Sequence, residues 1–124
     1  MEILKSDKAP KAVGPYCHGI KHGDFIFTSG QLPINPETDE IIIDDIKAAA
    51  KQALENCKAI IEEGGSSIDK VVKVTVFLVD LNDFAAVNEV YSEFFGEHKP
   101  ARSCFEISKL PKDGRVEMEM IAAL

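Results

Sequence analysis

The sequence predicts an α+β fold: a mixed six-stranded sheet with two helices packed on one face, in the order β-β-β-α-β-α-β-β. Three observations carry this. Two stretches repeat apolar residues at three- and four-residue spacing. Six shorter ones alternate or run β-branched. Glycine, proline or an aspartate cap punctuates most of the changes between them.

The first third of the chain reads as β: a short strand near Glu2–Lys5, then Tyr16–Lys21, then Phe25–Ser29, with His22-Gly23-Asp24 as the turn joining the last two. Residues Pro33–Glu40 hold two prolines and read as loop, followed by a brief extended piece at Ile41-Ile42-Ile43. From Asp44 the pattern becomes helical. Ile46, Ala50, Ala53, Leu54, Cys57, Ile60 and Ile61 form one stripe, and Lys47, Lys51, Glu55, Lys58 and Glu62 face water. Asp44 is the expected N-cap, and Gly64-Gly65 supplies the left-handed stop.

Val71–Val79 is the strongest strand. Val72, Val74, Val76 and Leu78 are expected under a helix, with Val71, Lys73, Thr75, Phe77 and Val79 on the other side. A second helix spans about Asp83–Phe95, its stripe Phe84, Val87, Tyr91, Phe94 and Phe95, with Asn82 or Asp83 at its start and Gly96 at its end. Two strands follow, Ala101–Ile107 and Arg115–Ala123, joined by the turn-rich Lys109–Gly114. With both helices on one face, the other sheet face lacks a cover within one chain. Phe77, Thr75 and Cys104 are expected there, a mixture best covered by other subunits.

Composition narrows the function classes. The 124 residues form one domain, 1–124, long enough for a core without disulfides or metal. Cys17, Cys57 and Cys104 are odd in number and form no C-x-x-C pair, so they read as reduced thiols in a cytoplasmic protein. The first residues lack the apolar core of a secretory signal, and no apolar run, Val76–Val79 included, exceeds five residues, far too short for a bilayer, so no membrane role is expected. A net charge of −7 without clustered basic residues opposes nucleic acid as a partner.

The chemistry concentrates near the end of the chain. There are twelve lysines but only two arginines, and one of these, Arg102, sits inside a strand. Period-two alternation puts Arg102, Cys104 and Glu106 on one side of that strand, and Arg115, Glu117 and Glu119 on one side of the last. If the strands share a sheet, one guanidinium and two carboxylates are expected on a common surface. A guanidinium grips a carboxylate through a planar fork, and a nearby carboxylate can activate water. A plain cross-strand ion pair is the alternative on pattern alone. No base is placed to make Cys104 a nucleophile, and His18, His22 and His98 are too scattered to bind a metal.

Six short motifs occur in order: Gly14-Pro15-Tyr16, Thr28-Ser29-Gly30-Gln31, Asp80-Leu81-Asn82-Asp83-Phe84, Asn88, Pro100-Ala101-Arg102-Ser103 and Val116-Glu117-Met118-Glu119. Through them the chain resembles the RidA (YjgF-type) reactive-intermediate deaminase family over essentially its whole length. The resemblance implies a chorismate-mutase-like fold and a homotrimer with sites in the clefts between subunits. It also implies cofactor-independent hydrolysis of 2-imino acids, tautomers of enamines such as 2-aminoacrylate, to 2-keto acids and ammonia. Arg102 would then clamp the substrate carboxylate and Glu117 would position and activate water. The backbones of Gly30 and Cys104 would meet the reacting end, while Tyr16, Ser29 and Asn88 shape the pocket. The chain departs from the family pattern at Lys99, where many relatives carry an aromatic or aliphatic residue, and at His18. The resemblance also covers proteins described as endoribonucleases or translation inhibitors, and a non-catalytic keto-acid-binding or chaperone-like trimer is the remaining alternative.

Overall fold

Alternation of apolar and polar residues builds the centre of the sheet. In the computed structural model, which describes residues 1–124, the two longest strands are β4, Val71–Leu78, and β6, Val116–Ala123. They pair antiparallel, so Val74, Val76 and Leu78 lie beside Met120, Met118 and Val116, and all six side chains are buried. The remaining strands are β1, Glu2–Leu4, β2, Gly19–His22, β3, Phe25–Thr28, and β5, Ala101–Glu106. The sheet order is β1-β2-β3-β6-β4-β5, antiparallel throughout except for the β4–β5 pair.

Helix α1, Ile46–Glu63, lies across β3 and β6 with α2, Phe84–Phe95, packed alongside it. Ala49, Ala50 and Ala53 let α1 approach the sheet closely, and Leu54, Cys57, Ile60 and Ile61 are wholly buried beneath it. Truncating one of these large side chains, Leu54→Ala for example, removes about 2–5 kcal/mol. The expected class and element order are therefore observed, with both helices on one side of a mixed six-stranded sheet.

Details differ from the pattern-based expectations. The N-cap of α1 is Asp45 rather than Asp44; its carboxylate accepts the Ala48 N–H at 3.1 Å from an extended backbone. The left-handed residue after α1 is Gly65, at φ 88°, while Gly64 is still right-handed. The second strand begins at Gly19, because Tyr16 and Cys17 belong to the preceding loop. Val72 was expected in the core but is 41% exposed, whereas Val71 is fully buried. A bulge between Val71 and Lys73 shifts the alternation at that end of β4.

The uncovered face of the sheet is apolar over much of its area. Ile3, Phe25, Phe27 and Phe105 are exposed on it, and Phe105 stacks on Phe77 with ring centroids 6.4 Å apart. Glu117, Glu119, Lys73 and Ser103 interrupt this surface, with the Lys73 ammonium donating to Ser103 Oγ at 2.7 Å.

Candidate active site

Strand register decides which polar side chains can meet. In β5 the parallel register sets Arg102 beside Val74 and Cys104 beside Val76, on the helix side of the sheet. In β6, Glu117 lies beside Phe77 and Glu119 beside Thr75, on the open side. The expectation that Arg102 and the two glutamates share a surface is therefore wrong for a single chain, and so is the placement of Cys104 on the open face. The cross-strand ion pair fails for the same reason; the two ion pairs present are Lys47–Glu89 and Arg115–Asp83. Arg115 turns away from the glutamates, donating to Asp83 Oδ1 at 2.9 Å and to the Ile43 carbonyl at 3.1 Å.

The predicted residues thus gather in two clefts, except Cys104, which lines neither and packs against the core. The first, about 470 Å³ in volume, lies on the open side and is lined by Tyr16, Ser29, Gly30, Phe77, Glu117 and Glu119 among others. The segment after β3 is stitched to β6 by reciprocal bonds, Gln31 N–H to the Met118 carbonyl at 2.7 Å and Met118 N–H to the Gln31 carbonyl at 3.1 Å. This holds Gly30 directly against Glu117. A Cβ at position 30 would stand 2.9 Å from Glu117 Cδ, so any larger residue would displace the carboxylate from its present position. Burial raises the carboxyl of Glu117 above the ordinary carboxylate range, and the negative charge of Glu119 raises it further.

The hydroxyl of Ser29 donates to the Cys17 carbonyl at 2.6 Å, which fixes the loop and commits the hydroxyl's proton. Tyr16 lies over Gly14, where a Cβ would meet its ring at 3.4 Å, and its hydroxyl accepts the Val13 N–H at 3.4 Å. The wall behind it depends on His18, a residue that the sequence did not mark as structural. His18 is buried; its Nδ1 accepts the Ser6 N–H at 3.0 Å, and its Nε2 donates to the Pro10 carbonyl at 2.7 Å. One neutral tautomer satisfies both bonds and pins the first loop against the cleft.

The second cleft, of about 460 Å³, lies between α2 and the start of β5 and contains Asn88, Tyr91, Lys99 and Arg102. Phe84, Asn88 and Tyr91 are spaced four and three residues apart, so they share one helical face. That face receives Arg102. Its guanidinium lies 4.8 Å from the Tyr91 ring centroid and 5.4 Å from that of Phe84, and it donates to Asn88 Oδ1 at 2.7 Å. Phe84 and Tyr91 were read from the sequence as core stripe; their spacing relative to Asn88 was the available signal. The Cys104 thiol is pushed up by burial, against the opposing pull of Arg102, and it is not a ready nucleophile. Burial pushes the Cys57 thiol up to about 12, and its Sγ donates to the Met118 carbonyl.

Chemically, the first cleft offers a partly dehydrated carboxyl able to exchange a proton. The second offers a guanidinium already held in a fixed orientation. No group of three or more His, Cys, Asp or Glu side chains is arranged to bind a metal. No helix is long and apolar enough to cross a membrane.

Known proteins share this sequence and fold. Residues 6–124 match the family model described as endoribonuclease L-PSP. A RutC family protein of Pyrococcus abyssi is 60% identical over 121 residues, covering 98% of this chain and 95% of that protein. The 2-iminobutanoate/2-iminopropanoate deaminase of Escherichia coli is 50% identical over 124 residues, covering 98% and 96%. The crystal structure of Escherichia coli TdcF with bound serine superposes with a TM-score of 0.96 at 46% identity, covering 100% of this chain and 99% of that one.

Proposed function

The chain belongs to the endoribonuclease L-PSP family, and on that premise we propose that it is a 2-iminobutanoate/2-iminopropanoate deaminase. The single observation that carries the reading is the half-buried Glu117, raised above the ordinary carboxylate range and backed by Gly30. A carboxyl tuned in this way suits proton exchange with water and nitrogen. Imine hydrolysis needs little else, because the imine carbon is already electrophilic.

In this reading the guanidinium of Arg102 grips the substrate carboxylate, and the ring walls of Phe84 and Tyr91 hold the fork in place. Glu117 takes a proton from water as its oxygen adds to the C=N carbon, giving a carbinolamine. Glu117 returns that proton to nitrogen to complete the carbinolamine, then takes the hydroxyl proton and passes it to the amine, so the C–N bond breaks, ammonia leaves, and the C–O bond becomes the carbonyl of the 2-keto acid. Tyr16, Ser29 and Gly30 line the reacting end on the Glu117 side, the backbone of Cys104 would reach it from the copy that supplies Arg102, and Asn88 orients Arg102. No residue of the chain demands a cofactor for this sequence of steps.

Arg102 and Glu117 lie on opposite sides of one sheet, so a working site needs Arg102 of one copy beside Glu117 of another. A homotrimer with three such clefts meets that need, and the apolar open face supplies the surface to be covered. RNA cleavage, the other activity in the family description, finds little support in a chain of net charge −7. The direct test is to add purified protein to 2-aminoacrylate generated in situ and follow pyruvate and ammonia. Accelerated release of both is expected, and a rate equal to the uncatalysed one would refute the reading.

A further inference from the structure

The cleft around Arg102 has a charge pattern unlike the rest of the molecule. The chain carries 21 acidic side chains against 14 lysines and arginines, yet a single chain brings no carboxylate of its own to this cleft, whose one acidic neighbour in the proposed site is the reactive Glu117 of another copy. The polar lining of the cleft is Asn88, Ser92, His98, Lys99 and Arg102. A guanidinium held by Asn88 and two rings presents one fork, and one fork suffices for one carboxylate.

Lys99 is therefore a surplus cation for a monocarboxylate. It takes part in neither of the two ion pairs of the structure. It is also anchored at its root. The neighbouring His98 donates from Nε2 to the Val71 carbonyl at 2.7 Å and sets its ring against Phe95, with centroids 6.1 Å apart. Pro100 follows and restricts the backbone of Lys99 to extended conformations. The 97–100 connection is in this way tied to β4, and exposed Lys99 lines the same cleft as Arg102, three residues away along the chain. Within one chain the cleft measures about 460 Å³, large enough to admit a four- or five-carbon acid.

We propose that Lys99 receives a second acidic group, so that the site favours 2-imino dicarboxylates, imines of the aspartate and glutamate type, over short aliphatic 2-imino acids. This rests on the deaminase reading for its chemistry but not for its binding geometry.

Binding and turnover test it separately. By calorimetry at low salt, 2-oxoglutarate should bind more tightly than 2-oxobutanoate by roughly fivefold, the scale of one partly exposed charge pair. Lys99→Leu should erase that margin and Lys99→Arg should keep it. In turnover, the ratio of kcat/KM for the imine of aspartate to that for the imine of alanine, each generated by an amino-acid oxidase, should fall about fivefold in Lys99→Leu. Equal affinity for the two keto acids, or ratios unchanged by Lys99→Leu, overturns the inference. A binding margin that depends on Lys99, without turnover of either imine, would refute the deaminase reading and leave the dicarboxylate site standing.

Discussion

The two clefts hold their charges by opposite means. Glu117 is partly stripped of water, lies beside a second carboxylate and has no cation paired with it, so its ionised form is disfavoured. Arg102 is surrounded by groups that favour its charge: two ring faces and one amide oxygen. One cleft keeps its charge reactive and the other keeps its charge fixed. Proton transfer needs a group near balance between two states, whereas recognition needs one that does not change. A single sheet separates the two environments, which prevents Arg102 from neutralising Glu117 within one chain.

The largest effect should come from the reactive side. Glu117→Gln keeps the shape of the side chain but removes the basic oxygen, and the catalytic rate is expected to fall by roughly 10²–10⁴-fold. Glu119→Gln should do much less, because its part is to raise the carboxyl of Glu117. Steady-state kinetics of the two variants decide this, and a larger defect in Glu119→Gln would reverse their roles. On the fixed side, Arg102→Lys should be nearly as damaging as Arg102→Ala, roughly 30- to 1,000-fold in kcat/KM, since lysine lacks the planar fork. Wild-type turnover in Arg102→Ala would remove the clamp from the mechanism.

Gly30→Ala probes the contact beneath the carboxyl. The added Cβ displaces the flexible end of Glu117 rather than backbone, so activity should fall about 10- to 100-fold while the thermal midpoint stays close to wild type. A matching loss of stability would mean that the glycine serves the fold instead.

Mixing separates one chain from several. If each site joins Arg102 of one copy to Glu117 of another, co-refolded Arg102→Ala and Glu117→Gln chains should recover activity at about a quarter of their sites. No recovery would confine the site to one copy.

The smallest effect is on stability. The carboxyl of Glu117 titrates above its ordinary value when folded, so in the window between the two values the folded chain binds more protons than the unfolded one. Stability should therefore decline as pH rises through that window, and Glu117→Gln should flatten the decline. Thermal midpoints across the window compare the two proteins, and parallel slopes would contradict the assignment.

The fold was legible because its elements are locally consistent. The alanine-rich stripe of α1, the valines of β4 and the alternating Val116, Met118 and Met120 each point to a single secondary structure and a single buried face. The site was only half legible. Alternation tells which residues share a side of one strand but not how two strands are phased against each other. Alternation put Arg102 on the same side of its strand as Cys104, which was expected on the uncovered face. At the sheet edge that expectation fails: the helix side of β5 holds Arg102, Cys104 and Glu106, with Arg102 received by Phe84, Asn88 and Tyr91 of α2 and Glu106 accepting the Leu81 N–H at 2.9 Å. His18 left no trace in any pattern, because its two partners are backbone groups in a loop.

The position of β6 has a consequence for biosynthesis. It is the last strand to be made, yet it lies between β3 and β4 and holds the two halves of the sheet together. Until it emerges, the first three strands have no partner for the inner edge of β3, and the β4–α2–β5 unit lacks the neighbour that buries Val74, Val76 and Leu78. From the synthesis of β4 until that of β6 the two halves therefore keep their inner sheet edges open, and closure is one late, long-range event rather than a gradual accretion. Ribosome-bound chains ending before Val116 should remain protease-sensitive along most of their length, and extension through Ala123 should protect both halves at once.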